Sequence, residues 1–161
     1  MIYIAHRGIV DGNSDGENSP SKIREALWEG FDVEADIWYL DGKFRLGHDM
    51  GQYDVDGLFS ESGIWWHAKN PKALDYLVNE GLHCFWHEKD YCALTSDQII
   101  WTYPCRPLLK GSVCVLPEKG YKGDIDSCGW ICSKYVREIE KEGTLATEPL
   151  QNYNREASNA T

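Results

Sequence analysis

The sequence has no run of Lys and Arg, no C-x-x-C pair and no apolar stretch of membrane-spanning length. Each absence excludes a class of function. Without a basic stripe, and with a net charge of −10, most of the surface repels polyanions, so nucleic acid is not an expected partner. Without C-x-x-C spacing, a zinc knuckle or a thioredoxin-like centre has no support. Without a span of about 20 apolar residues, no stable membrane anchor is expected. Met1 to Arg7 lacks the basic start and longer apolar core of a secretion signal, so a cytoplasmic protein is expected. Cys84, Cys92, Cys105, Cys114, Cys128 and Cys132 then read as free thiols, with Cys84, Cys114 and Cys132 inside apolar segments. Their even number leaves disulfides open for an exported chain.

What is present suits one domain. Of 161 residues, 42% are hydrophobic, enough for a substantial core. Seven Trp and nine Tyr exceed what a core alone requires, and some are expected around a half-wet pocket.

Two similar units open the chain. Ile2 to Ala5 reads as a buried strand, followed by a polar loop from Gly8 to Ser19. Ser19 and Pro20 start a helix with Ile23, Ala26 and Leu27 on one face, and Gly30 ends it. Phe31 to Leu40 alternates as a strand, and Asp41-Gly42 predicts a two-residue hairpin returning through Lys43 to Leu46. The pattern recurs as strand 64–67, a helix opened by Asn70-Pro71 and closed by Gly81, and strand 82–87. Asp36 and His87 each lie six residues beyond the closing glycine of their unit. Such alternation predicts βα units around a parallel sheet or barrel. Later strands at 99–103, 112–116 and 129–133 leave little room for helices, and Tyr135 to Glu142 reads as a last helix. Residues 1–143 form the expected domain, and the polar segment 144–161 is expected to be a disordered tail.

Glu34 and Asp36 project from one strand face with their Cα atoms about 7 Å apart, close enough to share a cation. Unshielded, two such charges repel by roughly 3 kcal/mol at an effective dielectric near 20. The hairpin register sets Asp36 opposite Gly47 and brings His48 beside the acids, provided that a turn at Gly47 re-aims it. His6 ends the first strand, where βα sheets build sites, followed by Arg7 as a fork for phosphate and Gly8 for close backbone approach. Trp38 shares the acids' face and is expected to wall the pocket. His83 and His87 have the i,i+4 spacing of a helical zinc pair, but on a strand their Cα atoms lie about 13 Å apart, too far for one ion.

Ile4-Ala5-His6-Arg7-Gly8, Glu17-Asn18-Ser19-Pro20, Glu34-x-Asp36, Asp41-Gly42 and His48-Asp49 together resemble the glycerophosphodiester phosphodiesterase family, within the phospholipase-C-like phosphodiesterases. The later match is weaker. His67-Ala68-Lys69 stands where that family has acid-x-Lys, and Gly129 to Ser133 resembles its last barrel strand. The resemblance implies an α/β fold, a TIM-like (β/α) barrel reduced here by shortened or missing outer helices, since such barrels usually take about 250 residues. It implies His6 and His48 as a general acid–base pair, Glu34 and Asp36 as ligands of Mg2+ or Ca2+ (with Mn2+ or Zn2+ as alternatives), and a small glycerophosphodiester-like molecule as substrate, its alcohol group left open.

Arg7 and Lys69 would meet the phosphate, and Glu17, His67 and His87 are further site candidates. Magnesium and calcium prefer oxygen whereas His67 offers an imidazole, so water is the first expectation for the third ligand, with a shifted metal preference, a substrate contact by His67 or a barrel-filling His67 as the alternatives. The rival expectation is a binding module that holds a phosphorylated ligand on the same scaffold without turnover.

Overall fold

Two helices begin and end where the sequence is punctuated. The structure, a computed structural model, describes residues 1–143, and the tail expected from 144 onward lies outside the described residues. Helix α1 (Pro20–Trp28) is capped by the Ser19 hydroxyl, which accepts from the Lys22 N–H, and α2 (Pro71–Asn79) is capped by the Asn70 side chain, which accepts from Ala73 N–H. Both close through the same pair of backbone bonds. Gly30 N–H and Phe31 N–H reach Leu27 and Ala26 carbonyls, and Gly81 N–H and Leu82 N–H reach Val78 and Leu77 carbonyls. That motif requires a left-handed residue just past the helix, supplied by Gly30 (φ +93°) and Gly81 (φ +68°).

The strands are β1 (Ile2–His6), β2 (Asp32–Leu40), β3 (Lys43–Leu46), β4 (Tyr53–Asp54), β5 (Ile64–Ala68) and β6 (Cys84–Phe85). They continue with β7 (Cys92–Leu94), β8 (Ile100–Thr102), β9 (Val113–Val115) and β10 (Trp130–Ser133), before a last helix α3 (Val136–Gly143). All ten join one mixed sheet. Its main path runs β4-β3-β2-β1-β10-β9-β8-β7, and β5 pairs with β2 and β6. Neighbours from β8 through β9, β10, β1, β2 and β5 to β6 are parallel, whereas the β2–β3, β3–β4 and β7–β8 pairs are antiparallel.

The reduced TIM-like barrel expected from the sequence is not what forms. Among the described residues the regular structure is mostly strand, a curled half-barrel sheet with three short helices, rather than strands alternating with helices around a closed ring. The cause is local. A parallel crossover needs a dozen or more residues and usually spends them on a helix. Only the crossovers before β2 and before β6 do so here. The segments 103–112 and 116–129 carry turns, an isolated bridge between Pro107 and Lys122 and, in the second, two short 3-10 pieces, but no α-helix.

Burial divides accordingly. Ile23 and Ala26 of α1 and Ala73 and Leu77 of α2 pack with Val33, Ala35, Ile37, Ile64 and Trp66 on the convex side. On the concave side Ile4, Trp65, Phe85, Trp101 and Val113 make an apolar floor. Leu27 and Leu74 are only half-buried against the first cluster, and Val78 is exposed. All six cysteines are free thiols, with Cys92 and Cys105 exposed. Among the described residues, no helix is long and apolar enough to cross a membrane.

Candidate metal centre

Parallel register stacks the titratable groups one layer above the apolar floor. His6 is the ladder partner of Glu34, and Asp36 is that of His67, so all four side chains leave the same face of three adjoining strands. Next along, His67 pairs with Phe85, two residues before His87. Four of the five histidines (His6, His48, His67 and His87) line a single cavity of about 570 Å3 together with Arg7 and Glu34. A hollow of about 820 Å3 elsewhere, beside α1, is lined by residues such as Arg24, Trp28 and Glu61 and holds no histidine.

At the centre, Glu34, Asp36 and His67 are buried and offer ligand atoms within 4.8 Å of one another, a group that can hold a metal ion. His67 Nδ1 lies 2.9 Å from Asp36 Oδ1 and 3.4 Å from Glu34 Oε1. Asp36 Oδ1 is sealed from solvent yet has no aligned hydrogen-bond donor, and His67 Nε2 is likewise unpartnered. Buried polar atoms left this way are costly unless something completes them. The donors of this group are two carboxylates and one imidazole, which sets His67 beside the two acids as a candidate third ligand.

Cations surround the acids, and two of them, Arg7 and Lys134, also line the cavity together with Lys119. Arg7 Nε is 3.1 Å from Asp36 Oδ2, its Nη1 donates to Glu17 Oε1 (2.8 Å), and its backbone N–H donates to Glu34 Oε2 (3.2 Å). Lys69 Nζ is 3.4 Å from Asp36 Oδ1. Lys134 Nζ bonds the other Glu17 oxygen at 2.6 Å. The mutual repulsion anticipated between Glu34 and Asp36 is thus offset within the protein. Arg7, expected to meet a phosphate, is instead committed to Glu17 and Asp36. It holds φ +58°, a conformation rare outside glycine, which turns it across the acids directly after β1.

These contacts set protonation. Burial pushes the Asp36 carboxyl up, but close His67, Arg7 and Lys69 bring it well below the usual carboxylate range. For Glu34, burial and the Asp36 charge push upward, and His6 and His67 pull it below its ordinary value. Burial opposes charging of His67, yet contact with Asp36 and Glu34 leaves its pKa raised. His6 goes the other way. Burial lowers it to about 4 despite Glu34 Oε2 at 3.8 Å from its Nε2. Burial likewise lowers His87 to about 4, where its ring stacks on that of His67 at 4.6 Å between centroids.

His48 reaches the cavity from outside. β3 ends at Leu46, Gly47 takes φ +143°, and the Gly47 N–H donates to the Asp36 carbonyl. A Cβ on Gly47 would lie 2.1 Å from the Met50 carbonyl oxygen, so the turn is open to glycine alone. Trp38, expected in the pocket wall, is not among the lining residues. Its indole N–H donates to the Gly47 carbonyl at 2.7 Å and braces this turn. The His48 side chain, 41% exposed, pairs with Asp49 at 2.7 Å. His83 sits apart from the site, its ring against Trp65 and its Nδ1 3.6 Å from Asp97.

Sequence reasoning overlooked Asn18, which clamps Asp36, and Lys134, which braces Glu17. A signal for Lys134 was present. Arg7 follows β1, Lys69 follows β5 and Lys134 follows β10, so each of three parallel strands delivers a basic residue just past its carboxyl end. Trp101 and Tyr103, both within the strand expected at 99–103, also line the cavity.

Comparison with protein-family models, with curated proteins and with solved structures finds no match to this chain. The likeness to the glycerophosphodiester phosphodiesterases therefore rests on the sequence motifs alone.

Proposed function

We propose that this protein is a metal-dependent phosphodiesterase that works by two-histidine general acid–base catalysis. The observation that carries the reading is that His6, His48, Glu34 and His67 line one cavity, with Asp36 buried against His67 in the same group of candidate ligands. Glu34, Asp36 and His67 would hold the cation. The imidazole in this donor set turns the expectation from Mg2+ or Ca2+ towards Mn2+ or Zn2+. When bound, a divalent cation neutralises charge on a nonbridging phosphate oxygen.

Charge supports this reading. Glu17, Glu34 and Asp36 are matched by Arg7, Lys69 and Lys134, so the cluster is near neutral before anything binds. A divalent cation adds two positive charges, and a phosphodiester under attack by a deprotonated oxygen carries two negative ones. Such matching in a water-poor site is where electrostatic stabilisation counts most.

His6, kept neutral by burial, takes the proton from the attacking hydroxyl or water. His48, oriented by Asp49, gives a proton to the leaving oxygen. Arg7 and Lys69 hold the carboxylates in place and add positive potential, and Glu17 fixes Arg7.

Phosphorus NMR with a panel of phosphodiesters tests the proposal, run with manganese, with zinc, with magnesium and with EDTA, beside His6→Ala. Product that needs metal and disappears in the variant is the expected result. No product in any arm, with metal still raising the melting temperature, would leave a non-catalytic binding module for phosphorylated ligands as the better account.

A further inference from the structure

The cavity has two unlike walls. One carries Glu34, His6, Arg7 and Lys134. The other is built from Trp101, Tyr103, Pro104, Val115 and Leu116, with the His87 ring between the two. The rings continue one another. Trp101 lies against Phe85 (4.5 Å between centroids, 29° between planes), and Phe85 against His67 (4.8 Å, 11°). His87 stacks on His67, and Tyr103 meets His87 edge-on at 5.4 Å and 85°. This ladder runs from the metal-ligand layer to the mouth, where Tyr103 is 36% exposed.

From this geometry we infer that the alcohol arm of the bound phosphodiester is a planar aromatic or similarly apolar group, seated against Trp101 and Tyr103, rather than a polyol. The inference rests on the phosphodiester reading of the same site and names the part of the ligand that this reading leaves open. A glycerol-like arm would need partners for its hydroxyls, and hydroxyls shut away unpaired are costly. The Pro104, Val115 and Leu116 side chains offer none, and beside the Tyr103 hydroxyl the remaining polar lining is Lys119 and Tyr135. Nδ1 of His87 is sealed from solvent, and Glu118 on the rim is bound to the Ser133 hydroxyl and the Lys134 N–H. A flat apolar arm has the opposite fit. It covers the Trp101 floor and gains ring-on-ring contact with Tyr103, in the offset or edge-on geometry that aromatic pairs favour.

Two diesters that differ only in this arm test the idea: benzyl methyl phosphate and glyceryl methyl phosphate. Each is titrated into the intact protein with manganese present, and dissociation constants are read by ligand-observed NMR, independently of turnover. The benzyl ester is expected to bind at least tenfold tighter, the discrimination that a shaped apolar pocket provides. Tyr103→Ala should bring that ratio towards one, and Tyr103→Phe should keep it. Circular dichroism of both variants verifies that they fold. Equal affinity for the two esters, tighter glyceryl binding, no binding of either, or a ratio unmoved by Tyr103→Ala would each overturn the inference. Tight benzyl binding without any cleavage would sustain it and count against the esterase reading alone.

Discussion

Asn18 and Asp36 grip each other through two hydrogen bonds. Asn18 Nδ2 donates to Asp36 Oδ2 at 3.0 Å, and the Asp36 backbone N–H donates to Asn18 Oδ1 at 2.9 Å. Both side chains are fully buried, and Asn18 sits at φ +63°, which Asn tolerates better than most residues. The clamp joins the loop before α1 to the strand carrying the acids, and it engages one Asp36 oxygen so that Oδ1 faces His67. Asn18→Ala should cost about 1–3 kcal/mol, the penalty for stranding a buried polar group, read from urea denaturation. Asn18→Asp should cost more, because it sets a second buried carboxylate against Asp36. An Asp variant as stable as the Ala variant would sink this account.

Glu17 gives the fold an acid-sensitive brace. Burial raises its pKa, but hydrogen bonds from Lys134 and Arg7 outweigh that and leave it depressed. A carboxylate whose folded pKa is depressed contributes stability fully above its unfolded value, near 4.5, and loses it as pH falls through the lower folded value. Glu17→Gln should therefore destabilise the protein at neutral pH, with the difference shrinking steadily below about pH 4.5. Thermal melts of both proteins from pH 3 to pH 7 would show it. A difference that stays constant across that range would mean the brace is not ionic.

The local grammar of the first half was legible before the structure. Ser19-Pro20, Gly30, Asn70-Pro71 and Gly81 marked both helices, and Asp41-Gly42 fixed the β2–β3 register at Leu40 and Lys43. Closure of the sheet was not legible, because it depends on whether segments such as 103–112 build helices, a tertiary outcome that polar turn-rich sequence does not decide. In the site, strand alternation placed Glu34 and Asp36 on one face. It gave no way to see that β5 would lie beside β2 in the register that sets His67 against Asp36. Nor could it show that Arg7 would spend its guanidinium on Glu17 and Asp36.

Gly47 offers a test of how His48 reaches the cavity. Its φ of +143° and the Met50 carbonyl oxygen 2.1 Å from any Cβ mean that Gly47→Ala must rearrange the turn. The strain should lower stability by roughly 1–3 kcal/mol, and the displaced His48 should lower turnover as well. Trp38→Phe, which deletes only the brace to the Gly47 carbonyl, should act in the same direction but more weakly. If Gly47→Ala lost stability and kept full turnover, His48 would have no part in the chemistry.

His67 supplies the one nitrogen donor of the candidate metal group, and the proposed preference for manganese or zinc rests on it. Its Nδ1 lies within 3.4 Å of both carboxylates, so it is the one nitrogen in an otherwise oxygen donor set. Imidazole binds manganese and especially zinc better than magnesium or calcium, which favour oxygen. In the wild type, zinc and manganese should therefore raise the melting temperature more than magnesium or calcium at equal concentration. His67→Asp makes the set all oxygen and shortens the reach of the third ligand. It should lose the zinc response while gaining or keeping that of magnesium and calcium, and isothermal titration gives the four affinities directly. His67→Phe separates ligation from packing, since it keeps the stacking between Phe85 and His87 and removes the donor. This variant should fold and lose its metal response altogether. Zinc affinity that survives His67→Phe would place the ion on Glu34 and Asp36 alone and remove the imidazole from the centre.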